Sequence, residues 1–210
     1  MSDTSRDTPV LGTTVDEQKN RLREQARRTR SELAVAIPSD CQAAFNENLR
    51  RILDELPVWQ VISGYLAIGE EIDPLPVLHQ LKDAGKTCVL PVVMAREQPL
   101  IFRTWEPGCL LECGPLNTRH PQAVMPAADP DVLLVPLLAF ARDGYRLGWG
   151  GGFYDRTLAA YKEQGRAVVS IGIAYDGQEI DNVPHDAYDQ RVDFVVTEAD
   201  VIRTGQELRA

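Results

Sequence analysis

Residues Val132–Arg156 read VLLVPLLAFARDGYRLGWGGGFYDR, and the order of their three parts decides the fold. Val132 to Leu138 is a continuous apolar run, the mark of a strand covered on both faces. A glycine-rich stretch follows, with Gly144, Gly148, Gly150, Gly151 and Gly152 inside nine residues. Phe153 to Gln164 then reads as a helix. Strand, glycine turn and helix in succession imply an α/β sheet, in which ligands gather where strand ends feed loops.

The segments on either side extend this alternation. Leu22, Ala26, Thr29, Leu33 and Ile37 recur at helical spacing from Asp16 onward, and Pro38 stops the run. Ser39 is expected to cap a second helix with Phe45, Leu49, Ile52 and Leu56 on one face, ended by Pro57. Trp59–Ile68 reads as a strand, Pro74–Ala84 as a helix closed by Gly85, and Thr87–Val93 and Ile101–Trp105 as strands. The proline-rich stretch from Glu106 to Asp131 reads as a long excursion with little regular structure. Ala167–Ile173 and Phe194–Thr197 complete the strands. Residues 1–15, rich in Ser, Thr and Asp, read as a mobile tail, and 16–210 as one domain.

Composition excludes several functions. Lys+Arg 22 against Asp+Glu 31 leaves a net charge of −9, a surface that repels phosphate backbones and argues against general nucleic-acid or anionic-membrane binding. No apolar run approaches the ~18 residues of a membrane span. Four cysteines without a paired metal-ligand spacing read as free thiols in a reducing cytosol, so a cytoplasmic protein is expected.

The glycine stretch points to an anion. Glycine permits positive φ and removes Cβ, so successive N–H groups converge on a phosphate, and the following helix adds the positive end of its dipole. Arg146 supplies a planar charged fork. The stretch is neither a Walker A loop nor a dinucleotide fingerprint. Asp155, in the first helical turn, reads either as a dipole partner worth ~0.3–1 kcal/mol or as a Mg²⁺ ligand. The acidic loop Asp181–Asp193 is a source of a second carboxylate. In an otherwise acidic chain, Lys19, Arg21, Arg23, Arg27, Arg28 and Arg30 crowd into twelve residues. Lys19, Arg23 and Arg27 form an i, i+4 stripe beside the Leu22/Ala26/Leu33 face, to be read either as a solvated stripe or as an anion site.

Four segments together carry a family resemblance: KNRLR (Lys19–Arg23), LAIGEEID (Leu66–Asp73), LLVPLLAFARDGYRLGWGGGFYDR (Leu133–Arg156) and VPHDAYDQRVDFVVTE (Val183–Glu198). The sequence resembles the 5-formyltetrahydrofolate cyclo-ligase family over about Lys19 to Glu198. The resemblance implies an α/β three-layer sandwich with a mostly parallel sheet and helices on both faces. It also implies ATP- and Mg²⁺-dependent closure of 5-formyltetrahydrofolate to 5,10-methenyltetrahydrofolate, giving ADP and phosphate. On that resemblance Lys19 and Arg23 hold ATP phosphates, and Arg146, Leu147, Gly148, Trp149, Gly150, Gly151, Gly152, Phe153 and Tyr154 wrap the nucleotide. Trp149 through Phe153 also face the folate, with Leu66 and Glu71 lining its pocket, while Asp155 and Asp189 ligate Mg²⁺. Lys19 and Arg146 are the expected catalytic cations. A monomer with a reduced folate as its small-molecule partner is expected.

One segment departs from the family pattern. Where a Gly-Ile-x-Glu-Pro-like turn is usual, this chain reads GPLNTRHPQA (Gly114–Ala123), losing the acid and adding Arg119 and His120. Arg27, Arg28 and Arg119 are candidates to meet a glutamate tail, and His185, near Asp189, to contact ligand. Two other readings use the same fold: a non-catalytic sensor of a phosphorylated metabolite, which the altered loop favours, and a sugar-phosphate isomerase, which needs an enolisation base and no ATP.

Overall fold

Most strands at the centre of the sheet send alternate side chains into two different cores, the consequence of a period of two residues in a layer covered on both sides. A computed structural model describes residues 14–36, 41–115 and 118–205. Its helices are α1 (Val15–Ala36), α2 (Cys41–Glu55), α3 (Leu75–Asp83) and α4 (Phe153–Glu163). Its strands are β1 (Val61–Ser63), β2 (Thr87–Val92), β3 (Ile101–Thr104), β4 (Leu111–Cys113), β5 (Arg119–Pro121), β6 (Val132–Pro136), β7 (Ala139–Phe140), β8 (Arg146–Leu147), β9 (Val169–Ile173), β10 (Phe194–Val196) and β11 (Val201–Arg203). The main sheet has the order β11-β10-β9-β6-β1-β2-β3. Its five central strands are parallel, and β3 and β11 run antiparallel at the two edges.

On β6, Val132 and Leu134 pack with Phe45, Leu49 and Ile52 of α2 and Val77 and Leu78 of α3. Leu133 and Val135 pack on the opposite face with Tyr161 and Leu158 of α4. Burying each such aliphatic side chain stabilises the fold by ~1.5–3 kcal/mol, which is why the apolar run carries no polar alternation. The expected three-layer sandwich is the observed one.

Helix α1 lies apart from these layers. It packs through Ala26 on Leu138, Ala139, Ala141, Leu147 and Val183, the small core around the β7–β8 hairpin. The 3-10 turn Asp176–Gln178 supports the same region. Buried Gln178 donates through Nε2 to the carbonyls of Leu137 (3.1 Å) and Leu138 (2.9 Å), where the chain leaves β6, and accepts the Tyr175 amide on Oε1 (2.8 Å). Among the described residues no helix is long and apolar enough to cross a membrane.

The structure corrects several boundaries. The expected strand Trp59–Ile68 pairs only over Val61–Ser63, with the Gly64 amide still bonded to the Val89 carbonyl (3.0 Å). A Cβ at position 64 would sit 2.1 Å from Leu78 Cδ1, so the chain passes hard against α3 there and then peels off the sheet. The Tyr65 hydroxyl donates to the Ile72 carbonyl (2.8 Å) and closes the segment as a loop, which carries Leu66 and Glu71.

The glycine stretch does not follow β6 as one turn: Gly144 lies in the turn of the β7–β8 hairpin, and residues 148–152 come after β8. The excursion between Glu106 and Asp131 holds the β4–β5 hairpin, and residues 126–128 bond along the outer side of β3 through Thr104 N to Pro126 O and Ala128 N to Phe102 O. Strand β11 was not expected. Helix α1 begins at Val15, where Thr14 and Glu17 exchange bonds (Thr14 N to Glu17 Oε2, 2.9 Å; Glu17 N to Thr14 Oγ1, 3.3 Å), a capping box with the spacing T-x-x-E. Most of the expected tail, with Ile37, Pro38 and the Ser39 cap, lies outside the described residues.

Replacing Gln178 by Ala leaves two buried carbonyls without their donor, and we expect a loss of ~1–3 kcal/mol in urea unfolding. An unchanged midpoint would show that the bend after β6 does not depend on these bonds.

Candidate active site

The loops at the carboxyl ends of β1 and β2, together with α1, the glycine stretch and the loop before β10, surround a cleft of about 1140 Å³. Lys19, Arg23, Leu66, Glu71, Arg146, Leu147, Gly148, Trp149, Gly150, Gly151, Gly152, Phe153, Tyr154, Asp155 and Asp189 all line it. The structure thus brings together, from four separate segments, the residues expected to meet ATP, folate and Mg²⁺, whereas Arg27 and Arg28, expected to meet a glutamate tail, do not line the cleft.

The inward face of α1 is basic. Lys19 and Arg30 are buried beside Ala26, whereas Leu22 and Leu33 are only half-buried. The apolar stripe expected to seat this helix therefore shares its inner face with cations, because what the helix covers is a cleft wall as well as a core. The Lys19 ammonium meets Asp189 Oδ2 (2.5 Å) and Asp186 Oδ2 (3.3 Å). Burial disfavours its charge, but the hydrogen bonds and charges of Asp189 and Asp186 outweigh burial and raise its pKa above the ordinary 10.5. Asp186 is held below the ordinary 3.8, first by the Tyr188 amide, which together with Lys19 and the Asp189 amide outweighs the opposing effect of burial. Arg23 donates from Nε to the Gly148 carbonyl (3.0 Å) and from Nη1 to Asn20 Oδ1 (2.6 Å). Burial lowers its pKa, yet an arginine remains charged.

Gly150 and Gly152 show why the turn is glycine-rich. Their φ values of 98° and 64° lie in the left-handed region, and a Cβ at 150 would stand 3.2 Å from Arg23 Cζ. Gly152 occupies the N-cap of α4 without a side-chain cap. The backbone N–H groups of residues 148–152 find no protein acceptor among the described residues, so they remain available to an anion.

Arg146 is buried and donates from Nη2 to Asp155 Oδ1 (2.9 Å) and from Nη1 to the Gln190 carbonyl. Asp155 Oδ1 also accepts the Gln190 amide (3.0 Å). These bonds join β8, the start of α4 and the loop carrying Asp189. Trp149, 43% exposed, donates from Nε1 to Glu71 Oε1 (2.9 Å), and the guanidinium carbons of Arg27 and Arg30 each lie 5.0 Å from its ring centre. Tyr154 both packs in the α4 core and lines the cleft. Burial, with the Glu71 charge, pushes its hydroxyl far above the usual range, so it stays protonated.

His185 does not line the cleft; it stacks on Tyr145 at 3.5 Å between ring centres. His79 packs edge-on against Trp105. Of the altered loop, Thr118 and Arg119 reach the cleft and His120 does not. Sequence reasoning missed Arg30, Tyr65, Arg96, Asp186 and Arg156. Arg30 falls on the same helical face as Lys19 and Ala26, and Asp186 stands three residues before Asp189 in an already informative motif, so both carried a readable signal.

The strand ends of this α/β sheet thus open on a glycine-rich turn ringed by cations. Residues 15–198 match the model of the 5-formyltetrahydrofolate cyclo-ligase family, and the chain belongs to that family. The 5-formyltetrahydrofolate cyclo-ligase of Escherichia coli K12 is 36% identical over 148 residues, covering 67% of this chain and 79% of the relative. That of Mycolicibacterium smegmatis is 32% identical over 189 residues, covering 81% and 94%. The solution structure of Aquifex aeolicus 5,10-methenyltetrahydrofolate synthetase superposes with a TM-score of 0.68 at 28% identity, covering 91% of this chain and 95% of that one.

The Lys19–Asp186 pair stabilises the fold while both groups are charged. That contribution is complete below the ordinary lysine value and is lost as pH rises through the raised Lys19 pKa; at the acid end it is lost as pH falls through the lowered Asp186 pKa. We expect the urea-midpoint gap between wild type and Lys19→Met to hold across neutral pH and to narrow at both extremes. A gap independent of pH would assign the effect to packing alone.

Proposed function

We propose that this chain catalyses the ATP- and Mg²⁺-dependent cyclisation of 5-formyltetrahydrofolate to 5,10-methenyltetrahydrofolate, with release of ADP and phosphate. The observation that supports it is the convergence, in a member of this family, of Lys19, Arg23, Arg146, the glycine stretch, Glu71, Asp155 and Asp189 on one cleft.

The N5-formyl group is an amide, and its carbon is a poor electrophile toward the weakly basic N10. Loss of its oxygen as hydroxide is prohibitively slow. In the proposed reaction the formyl oxygen attacks the terminal phosphorus of ATP and ADP leaves. N10 then attacks the activated, iminium-like carbon, gives up its proton, and phosphate departs with the former formyl oxygen. Phosphoryl transfer of this kind depends on positioning and on neutralising charge. Lys19, Arg23 and Arg146 supply the cations and residues 148–152 the amides, while Leu66, Glu71 and Trp149 form the folate side.

The carboxylates fit a divalent cation. Asp155 Oδ2 and Asp189 Oδ1 accept from no described residue, and Mg²⁺ takes one or two such hard oxygens together with phosphates. Asp155 and Asp189 would hold the ion, which when bound neutralises phosphate charge. Lys19 and Arg146, which rest on Asp189 and Asp155, are the cations beside these carboxylates that would face the phosphates.

Lys19→Ala should weaken ATP binding by ~1.5–3 kcal/mol with the fold retained, measured by titration calorimetry. Unaltered affinity in the folded variant removes Lys19 from the phosphate site. Asp155→Asn keeps an acceptor for Arg146 and the Gln190 amide but loses the charge. We expect it to lose Mg²⁺-dependent formation of the methenyl chromophore, and wild-type rates would make Asp155 a structural partner of Arg146 only. A wild-type protein that binds folate and nucleotide without producing the chromophore would be a sensor.

A further inference from the structure

Arg30 is the most deeply buried cation in this part of the molecule, with its side chain 3% exposed, and it does not itself line the cleft. Its Nη1 reaches Glu71 Oε1 at 3.3 Å, its guanidinium lies over the Trp149 ring, and its Nε has no acceptor among the described residues. A buried ion pair with an unmet donor adds little to a fold that an apolar side chain of similar size would not supply. Its contacts, however, are with Glu71 and Trp149, two of the three residues placed on the folate side.

Glu71 is equally enclosed, its side chain 4% exposed. Oε1 accepts from Arg30 and from the Trp149 indole, and Oε2 from the Ile68 amide (2.9 Å). Both oxygens are therefore turned into the protein and join α1, the loop after β1 and the glycine stretch. With Arg30 removed, Glu71 would be left enclosed without its cation and would turn outward to water, releasing the indole.

We infer that Arg30 is a positioning residue that fixes Trp149 through Glu71 and thereby sets affinity on the folate side of the cleft. This rests on the reading above that Trp149 and Glu71 face the folate. The geometry separates this role from the phosphate side, where Lys19, Arg23 and Arg146 have other partners.

The test is a cycle of Arg30→Gln, Trp149→Phe and the double variant, with Arg30→Lys as the conservative change. Arg30→Gln should raise KM for 5-formyltetrahydrofolate about tenfold, the scale of one charge-assisted hydrogen bond, and leave KM for ATP within about twofold. The double variant should lose no more than the worse single variant, because both act on one element. Arg30→Lys, which keeps charge but not the planar fork, should fall between. The tryptophan emission of ligand-free Arg30→Gln should differ from wild type, and the difference should vanish in the Trp149→Phe background.

A folded Arg30→Gln with unchanged folate KM, multiplicative losses in the double variant, or a fall in kcat with both KM values unchanged overturns the role. Identical emission spectra overturn it as well. The fluorescence measurement needs no turnover, so a wild-type protein unable to cyclise the folate would remove the functional reading while emission alone still decides the role of Arg30.

Discussion

A buried guanidinium or ammonium must find an anionic partner, and that requirement organises the whole upper end of this molecule. Lys19, Arg30 and Arg146 are almost entirely withdrawn from water. Each is met by an oxygen from a different stretch of chain: Asp189 from the loop before β10, Glu71 from the loop after β1, and Asp155 from the first turn of α4. At low local dielectric these attractions are stronger than at the surface, and leaving any partner unmatched is costly. Helix α1, whose apolar contribution is modest, is thus held across the strand ends by charge as well as by Ala26.

The same pairing balances charge around the cleft. Lys19, Arg30 and Arg146 are offset by Asp189, Glu71 and Asp155, and the amides of residues 148–152 have no protein acceptor among the described residues. The chain as a whole is acidic, so the cations gathered on this wall stand out against a net charge of −9.

Much of this was legible beforehand because it rests on periodicity and composition. The run from Val132 has no alternation since both its faces are covered, and the glycines at 150 and 152 are demanded by their φ values. The candidate site was readable because its residues lie in short, dense motifs. What was not legible depended on contacts between distant segments. The strand at Trp59–Ile68 was overestimated because β-branched and aromatic residues also suit a loop that packs, and the close passage of Gly64 over Leu78 leaves no local mark. Arg30 was absorbed into a general basic stripe, since its burial depends on Glu71, 41 residues away. The hairpins β4–β5 and β7–β8 are too short to show a pattern among prolines and glycines.

The borders of the sheet carry a consequence of their own. Strand β11 is only three residues long, and Arg203 beside its end reaches Glu55 of α2 (2.5 Å). The opposite border, β3, is already occupied along its outer side by residues 126–128. Neither margin offers a long, flat row of free amides and carbonyls, the template on which foreign strands assemble into fibrils. A parallel sheet, slow to form and exposed while forming, is in this way guarded against self-propagating association once it is complete.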